Sequence, residues 1–246
     1  MRQSGGMTAD RWAQAVRQQV GLGRFLPLGG PRDGAWIAER AAESVLRHAM
    51  AREVPDVRLD GLRIALADPD RADEPAVPPP PSALPPGALR LTAEFAATAA
   101  QPLPATASRL RTALADAAAE RIGLSVAEVD LRVAELLEEE PSPVPPAAPP
   151  PEPAPPAVGP GDSEADRVRA AVLAVPGVAR LTGAPDRPVR LTERAGGAAL
   201  PHRHARVDLA VRRDHRALDV ARAVRAAVSR ALPDRPTVAV LVTEVD

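Results

Sequence analysis

The sequence contains no cysteine, lysine, asparagine or tyrosine. Without cysteine there is no disulfide framework, no thiolate nucleophile and no Cys-based metal site. Apart from four histidines, every basic side chain is arginine. Lys, Asn and Tyr use AT-rich codons, so their joint absence points to a GC-rich genome such as that of an actinobacterium. The arginine excess then says little about recognition chosen by function. The aromatic residues are Trp12, Phe25, Trp36 and Phe95 alone. Base-stacking platforms and aromatic cages need more than that. No apolar run approaches the ~20 residues of a membrane span. The first twenty residues have no apolar core of a signal peptide. The expected location is the cytoplasm, with contact to the inner membrane face made through a partner.

Proline is abundant, and its placement divides the chain. Residues 141–161 hold eleven prolines, and a second rich stretch, "PPPPSALPP", runs from Pro78 to Pro86. Proline fixes φ and lacks a donor, so neither stretch can join a sheet interior. Residues 141–161 read as a semi-rigid tether, reaching about 65 Å at polyproline rise. The shorter stretch reads as a spacer inside a loop over 67–88. Charge differs across the tether. Residues 1–161 carry 16 Arg against 21 Asp and Glu, and residues 162–246 carry 15 against 11. An acidic first part and a basic second part can attract each other or a shared partner.

Periodicity orders the rest. A short helix is expected over residues 9–20, then a Gly/Pro-rich turn to residue 34. A helix is expected over 35–50, with Ile37, Ala41, Ala42, Val45, Leu46 and Ala49 on one face and Asp33 as N-cap. It must stop before Pro55. Strands follow at 62–66 and 89–95, a helix at 104–123 closed by Gly123, and a strand at 127–136 with Val129, Leu131 and Val133 facing in. After the tether comes a helix at 163–175, opened by Ser163 and Asp166 at capping-box spacing. Strands at 188–192 and 205–211, a helix at 214–232 capped by Asp214, and a strand at 237–245 complete the chain. The order α-β-β-α-β thus appears twice, as does the punctuation "VPDV" (Val54, Pro55, Val57) and "VPGV" (Val175, Pro176, Gly177, Val178). The expected fold is α+β: two tandem modules, each a three-stranded mixed sheet with helices on one face. In each, the first two strands pair antiparallel and the last two parallel, through a right-handed crossover. The divisions are 1–32 (helix and turn), 33–140 (first module), 141–161 (linker) and 162–246 (second module). Units of ~85 residues bury modest surface, so an open sheet face or edge needs cover.

These features resemble the alkaline-shock, or envelope-stress-response, family of Gram-positive bacteria. The resemblance rests on the helix entering "VPGV" and on the strand–helix–strand unit that closes with "VAEVDLRVAEL". It covers most of 33–66, 89–137 and 163–246. It implies a non-enzymatic protein without cofactor, often near the membrane. Such a protein self-associates, docks on small membrane-anchored partners and supports the envelope under stress. It carries over no catalytic residue.

Two other groupings carry chemistry. Arg203, Arg206, Arg212, Arg213 and Arg216 gather around one strand and its exit. They form a candidate surface for nucleic acid or an acidic partner. His202 and His204, two apart just before that strand, would face one way if extended, as metal ligands can. A solvent-exposed polar loop is the commoner meaning of that pattern. The favoured function is therefore a protein–protein scaffold, followed by a basic docking module, then a metal-binding protein.

Overall fold

The computed structural model describes residues 23–138, 163–183, 189–194 and 202–246. The expected helix at 9–20 and the tether at 141–161 lie outside the described residues. The fold is α+β, with four α-helices and two mixed sheets among the described residues.

The first sheet has the order β3-β4-β5, from β3 (Val57–Leu66), β4 (Leu89–Thr98) and β5 (Val126–Leu137). β3 and β4 are antiparallel, and β4 and β5 are parallel. The crossover between the parallel pair is α2 (Leu103–Asp116), continued by a π-turn over Ala117–Ile122. Pro104 falls in the first turn of α2, where a missing N–H costs nothing. Gly123 ends the segment at φ +97°. One face of β4 is buried through Leu89, Leu91, Ala93 and Phe95, and its other face shows Thr92 and Glu94 to solvent.

The second sheet differs from the expected three strands. Among the described residues it has six: β1 (Phe25–Pro27), β2 (Ala35–Ala38), β9 (Thr237–Val245) and β8 (His202–Val211) in that order, with β6 (Val178–Leu181) and β7 (Val189–Arg194) sharing the far edge of β8. β8 and β9 are parallel and joined through α4 (Ala217–Ala231). β6 and β7 lie antiparallel to β8, following α3 (Glu164–Leu173). The other two strands come from the start of the chain: β1 and β2 form a hairpin, and β2 pairs parallel with β9.

That hairpin corrects two expectations. Residues 35–38 are strand, and α1 (Glu39–Glu53) begins only at Glu39. Asp33 caps no helix. It accepts from the Gly30 N–H at 2.8 Å and pairs with both Nε and Nη2 of Arg222 on α4, at 2.7 and 3.0 Å. The Arg222 guanidinium holds the Asp33 carboxyl below its usual range. Arg225, half-buried on the same helix, donates to the Arg32 carbonyl at 2.8 Å. Asp214 likewise does not cap α4: it pairs with His215, and Arg216 stands at the N-cap without a side-chain capping bond. Ser163 does cap α3, accepting from the Asp166 N–H.

The proline stretch at 78–86 is more than a spacer. Phe25 donates to the Ser82 carbonyl and Leu84 donates to that of Phe25, so the segment lies along β1. Pro80 and Pro86 are buried there. The Trp36 indole N–H reaches the Leu84 carbonyl at 3.4 Å. A chain poor in donors is well suited to covering an edge that must not recruit another strand.

The core runs through both sheets as one cluster. α1 packs against β3 of the first sheet and against β2 and β9 of the second. Its apolar stripe, Ala41, Ala42, Val45, Leu46, Ala49 and Met50, is buried along its length. The π-turn packs against α1 and α4.

Candidate interaction surface

The two "VP" turns are built alike. Val57 donates to the Val54 carbonyl at 3.1 Å, and Val178 to the Val175 carbonyl at 3.2 Å. Each is a four-residue turn with proline at its second position, where a fixed φ near −65° fits. They differ at the third residue. Gly177 takes φ +89°, and an added Cβ would stand 2.6 Å from Val220 and 2.7 Å from His215. Asp56 has no positive φ and pairs instead with Arg109 on α2. The first turn delivers the chain from α1 into β3, and the second from α3 into β6.

The five arginines have different surroundings. Arg203 is clasped by Glu164 of α3 and Asp234 beyond α4. Arg206 is paired with Asp208 on its own strand. Arg216 donates to Asp219 and to the Ala119 carbonyl in the π-turn. Arg212 and Arg213 are exposed. Three of the five are thus paired with carboxylates that a phosphate would have to displace.

His204 is buried, not in a loop, because β8 begins at His202. Its Nδ1 lies 2.9 Å from the Thr237 hydroxyl on β9. His202 stands on the same strand opposite Arg194, and its side chain lies outside the described residues. Among the described residues no three potential metal ligands converge.

Structure adds a basic cluster that residue spacing does not reveal. An Arg213 guanidinium N–H lies 3.4 Å from His48 Nδ1 on α1. Arginine can only donate, so His48 accepts there with an unprotonated Nδ1. Burial first, then Arg213, Arg52 and Arg121, push the His48 pKa below its ordinary value. These groups come from α1, the π-turn and the β8–α4 loop, and 165 residues separate His48 from Arg213. The sign of the pH effect follows. The unfolded chain takes this proton near pH 6.5 and the folded chain only at lower pH, so stability falls as pH drops through that window. His48→Gln is expected to flatten that part of the stability profile. Urea midpoints of both proteins at pH 7.5 and pH 5.5 check this.

The open face of the first sheet is a lattice of exposed ion pairs. Arg58 joins Asp60 and Glu135, Arg90 joins Glu128 and Asp130, and Arg132 lies near Glu94. Pairs so exposed add little to stability and weaken with salt. Their effect is to keep a sheet face wet while leaving it patterned. The family models, the curated proteins and the solved structures contain no match to this chain.

β5 is the most distinctive of these surfaces. Val129 and Leu131 are partly buried on its inner side, as their alternation predicts. Val133, expected inside, is 40% exposed, and Leu136 is 57% exposed. A register shift against β4 between Val133 and Glu135 carries the end of the strand away from the core's cover.

Proposed function

We propose that this protein is a non-enzymatic scaffold of the alkaline-shock type. It is built of two units of one kind and acts by protein–protein contact at or near the cytoplasmic membrane face. The observation that carries this reading is the repeated connection. In both halves a helix enters a V-P-x-V turn, an antiparallel pair follows, and a helix crosses to a parallel strand. The two units are interlocked by the β1–β2 hairpin and by α1, a frame suited to holding surfaces in fixed relation. The charged groups that could do chemistry or grip phosphate are largely taken up in internal pairs, which favours the scaffold over the basic docking module. No described helix is long and apolar enough to cross a membrane, so membrane contact would run through a partner.

The test is affinity capture of the full-length tagged chain from its native cell, with cytosolic and membrane fractions processed separately, before and after alkaline stress. The scaffold reading expects a defined protein partner at constant stoichiometry in the membrane fraction, enriched by stress. Recovery with nucleic acid, or of a partnerless chain in both fractions, contradicts it.

A further inference from the structure

The sheet edges are managed unequally. β1 is covered by the 82–84 segment. On β3, Arg47 donates to the Leu59 carbonyl and Arg24 to that of Ile64, each at 2.7 Å. β6 and β7 are short, four and six residues, and β6 meets β8 with a register shift. Short, irregular or capped edges recruit other strands poorly. β5 is different: it is twelve residues long and terminates its sheet. Its Val129 carbonyl takes a bond at 3.2 Å from Arg111, an exposed side chain, and that one bond is given up when the edge pairs. Among the described residues no strand pairs with its outer side.

We propose that β5 pairs antiparallel with β5 of a second copy, about a two-fold axis centred on Leu131. The sequence of the strand selects this register. Residues facing each other across an antiparallel pair share one face of the sheet, so a two-fold centre must fall on a residue. Centring on Leu131 sets Leu131 against itself, Val129 against Val133 of the second copy, and Asp130 against Arg132 of the second copy, twice. Centring on Asp130 or Arg132 sets like charges face to face. Centring on Val129 brings Glu128 against Asp130. Centring on Val133 uses the irregular stretch beyond it. Val129 to Val133 lie within the run that pairs regularly with β4, so the strand is straight where the match is needed. Val133, left partly open in one copy, is covered by Val129 of the other. The product is a continuous six-stranded sheet whose charged face is also continuous. This assignment deepens the scaffold reading by naming a partner, a second copy of the same chain.

Asp130 and Arg132 are 63% and 79% exposed, so reversing either leaves the fold intact, which circular dichroism checks. Sedimentation equilibrium of the full chain at low salt is expected to show a dimer. Asp130→Arg and Arg132→Asp each weaken it by about tenfold, because two attractive pairs become repulsive. The double reversal restores it, and the two single variants mixed together form a heterodimer. A monomer at all concentrations, a dimer indifferent to the single reversals, or a double reversal that fails to recover association overturns the proposal. An unsubstituted chain that is monomeric at all concentrations yet still captures its partner would leave the scaffold reading standing and remove the edge alone.

Discussion

Trp36→Ala is expected to cost about 3–5 kcal/mol of stability and to weaken the sheet that lies mostly in the other half of the chain. Trp36 is 1% exposed and sits on β2 between Pro27 of β1 and Leu241 of β9. Removing the indole opens a cavity where three strands meet and removes the donor to the Leu84 carbonyl. That carbonyl belongs to the segment that covers β1, so the edge cover loosens with the core. The loss combines a cavity term with a half-buried acceptor left unpaired. Urea unfolding followed by circular dichroism measures it. The midpoint should fall with little change in slope, because the surface exposed on unfolding is nearly the same. A shift under 1 kcal/mol would mean that β2 is not seated in this sheet.

Gly123→Ala is expected to cost more than 2 kcal/mol, a large effect for one methyl group. The residue closes the π-turn at φ +97°, a region costly for any side chain. An added Cβ would also stand 2.4 Å from the Leu218 Cβ on α4. The Gly123 carbonyl accepts from the Gly29 N–H at 3.1 Å, so this backbone cannot retreat without loosening the β1–β2 turn. Leu218→Ala added to Gly123→Ala should not rescue stability, because the closest atom is the Leu218 Cβ that alanine retains. A double-mutant cycle on thermal denaturation tests this, and full rescue would refute the contact.

Helices were the most legible part of the chain. The stripes of α1 and α4 recur at three and four residues, and Val45, Leu46, Ala49, Val220, Val224 and Val228 are buried as that spacing predicts. The error at 35–38 has a physical source. "AWIA" runs directly into a helical stripe, and Ile37 and Ala41 are four apart, so a short apolar strand imitates the first turn of a helix. What makes it strand is β9, whose Val240 donates to the Gly34 carbonyl from two hundred residues away in sequence. β3 was legible only over Leu62–Leu66, because a register shift between Leu59 and Gly61 breaks the alternation of the strand before it. The ion pairs of the arginines were hidden for the same reason of distance. Spacing shows Arg203 beside other arginines, but not Glu164 and Asp234, which fold onto it. His48 carries no local signal, since the groups that act on it lie on three separate elements. The self-complementary charges of "VDLRV" were in view throughout. Their meaning depends on β5 being an edge, which only the sheet order supplies.

We propose that two like units are locked into one body, so that surfaces on both are held in fixed relation. Native-state hydrogen exchange tests it most directly, by comparing the Val240 amide on β9, held by Gly34, with the β4 amides of the first sheet. The account predicts that both sets exchange through one opening, with the same free energy and the same denaturant dependence. Exchange of the β4 amides through a separate, lower-energy opening, with Val240 still protected, would contradict it.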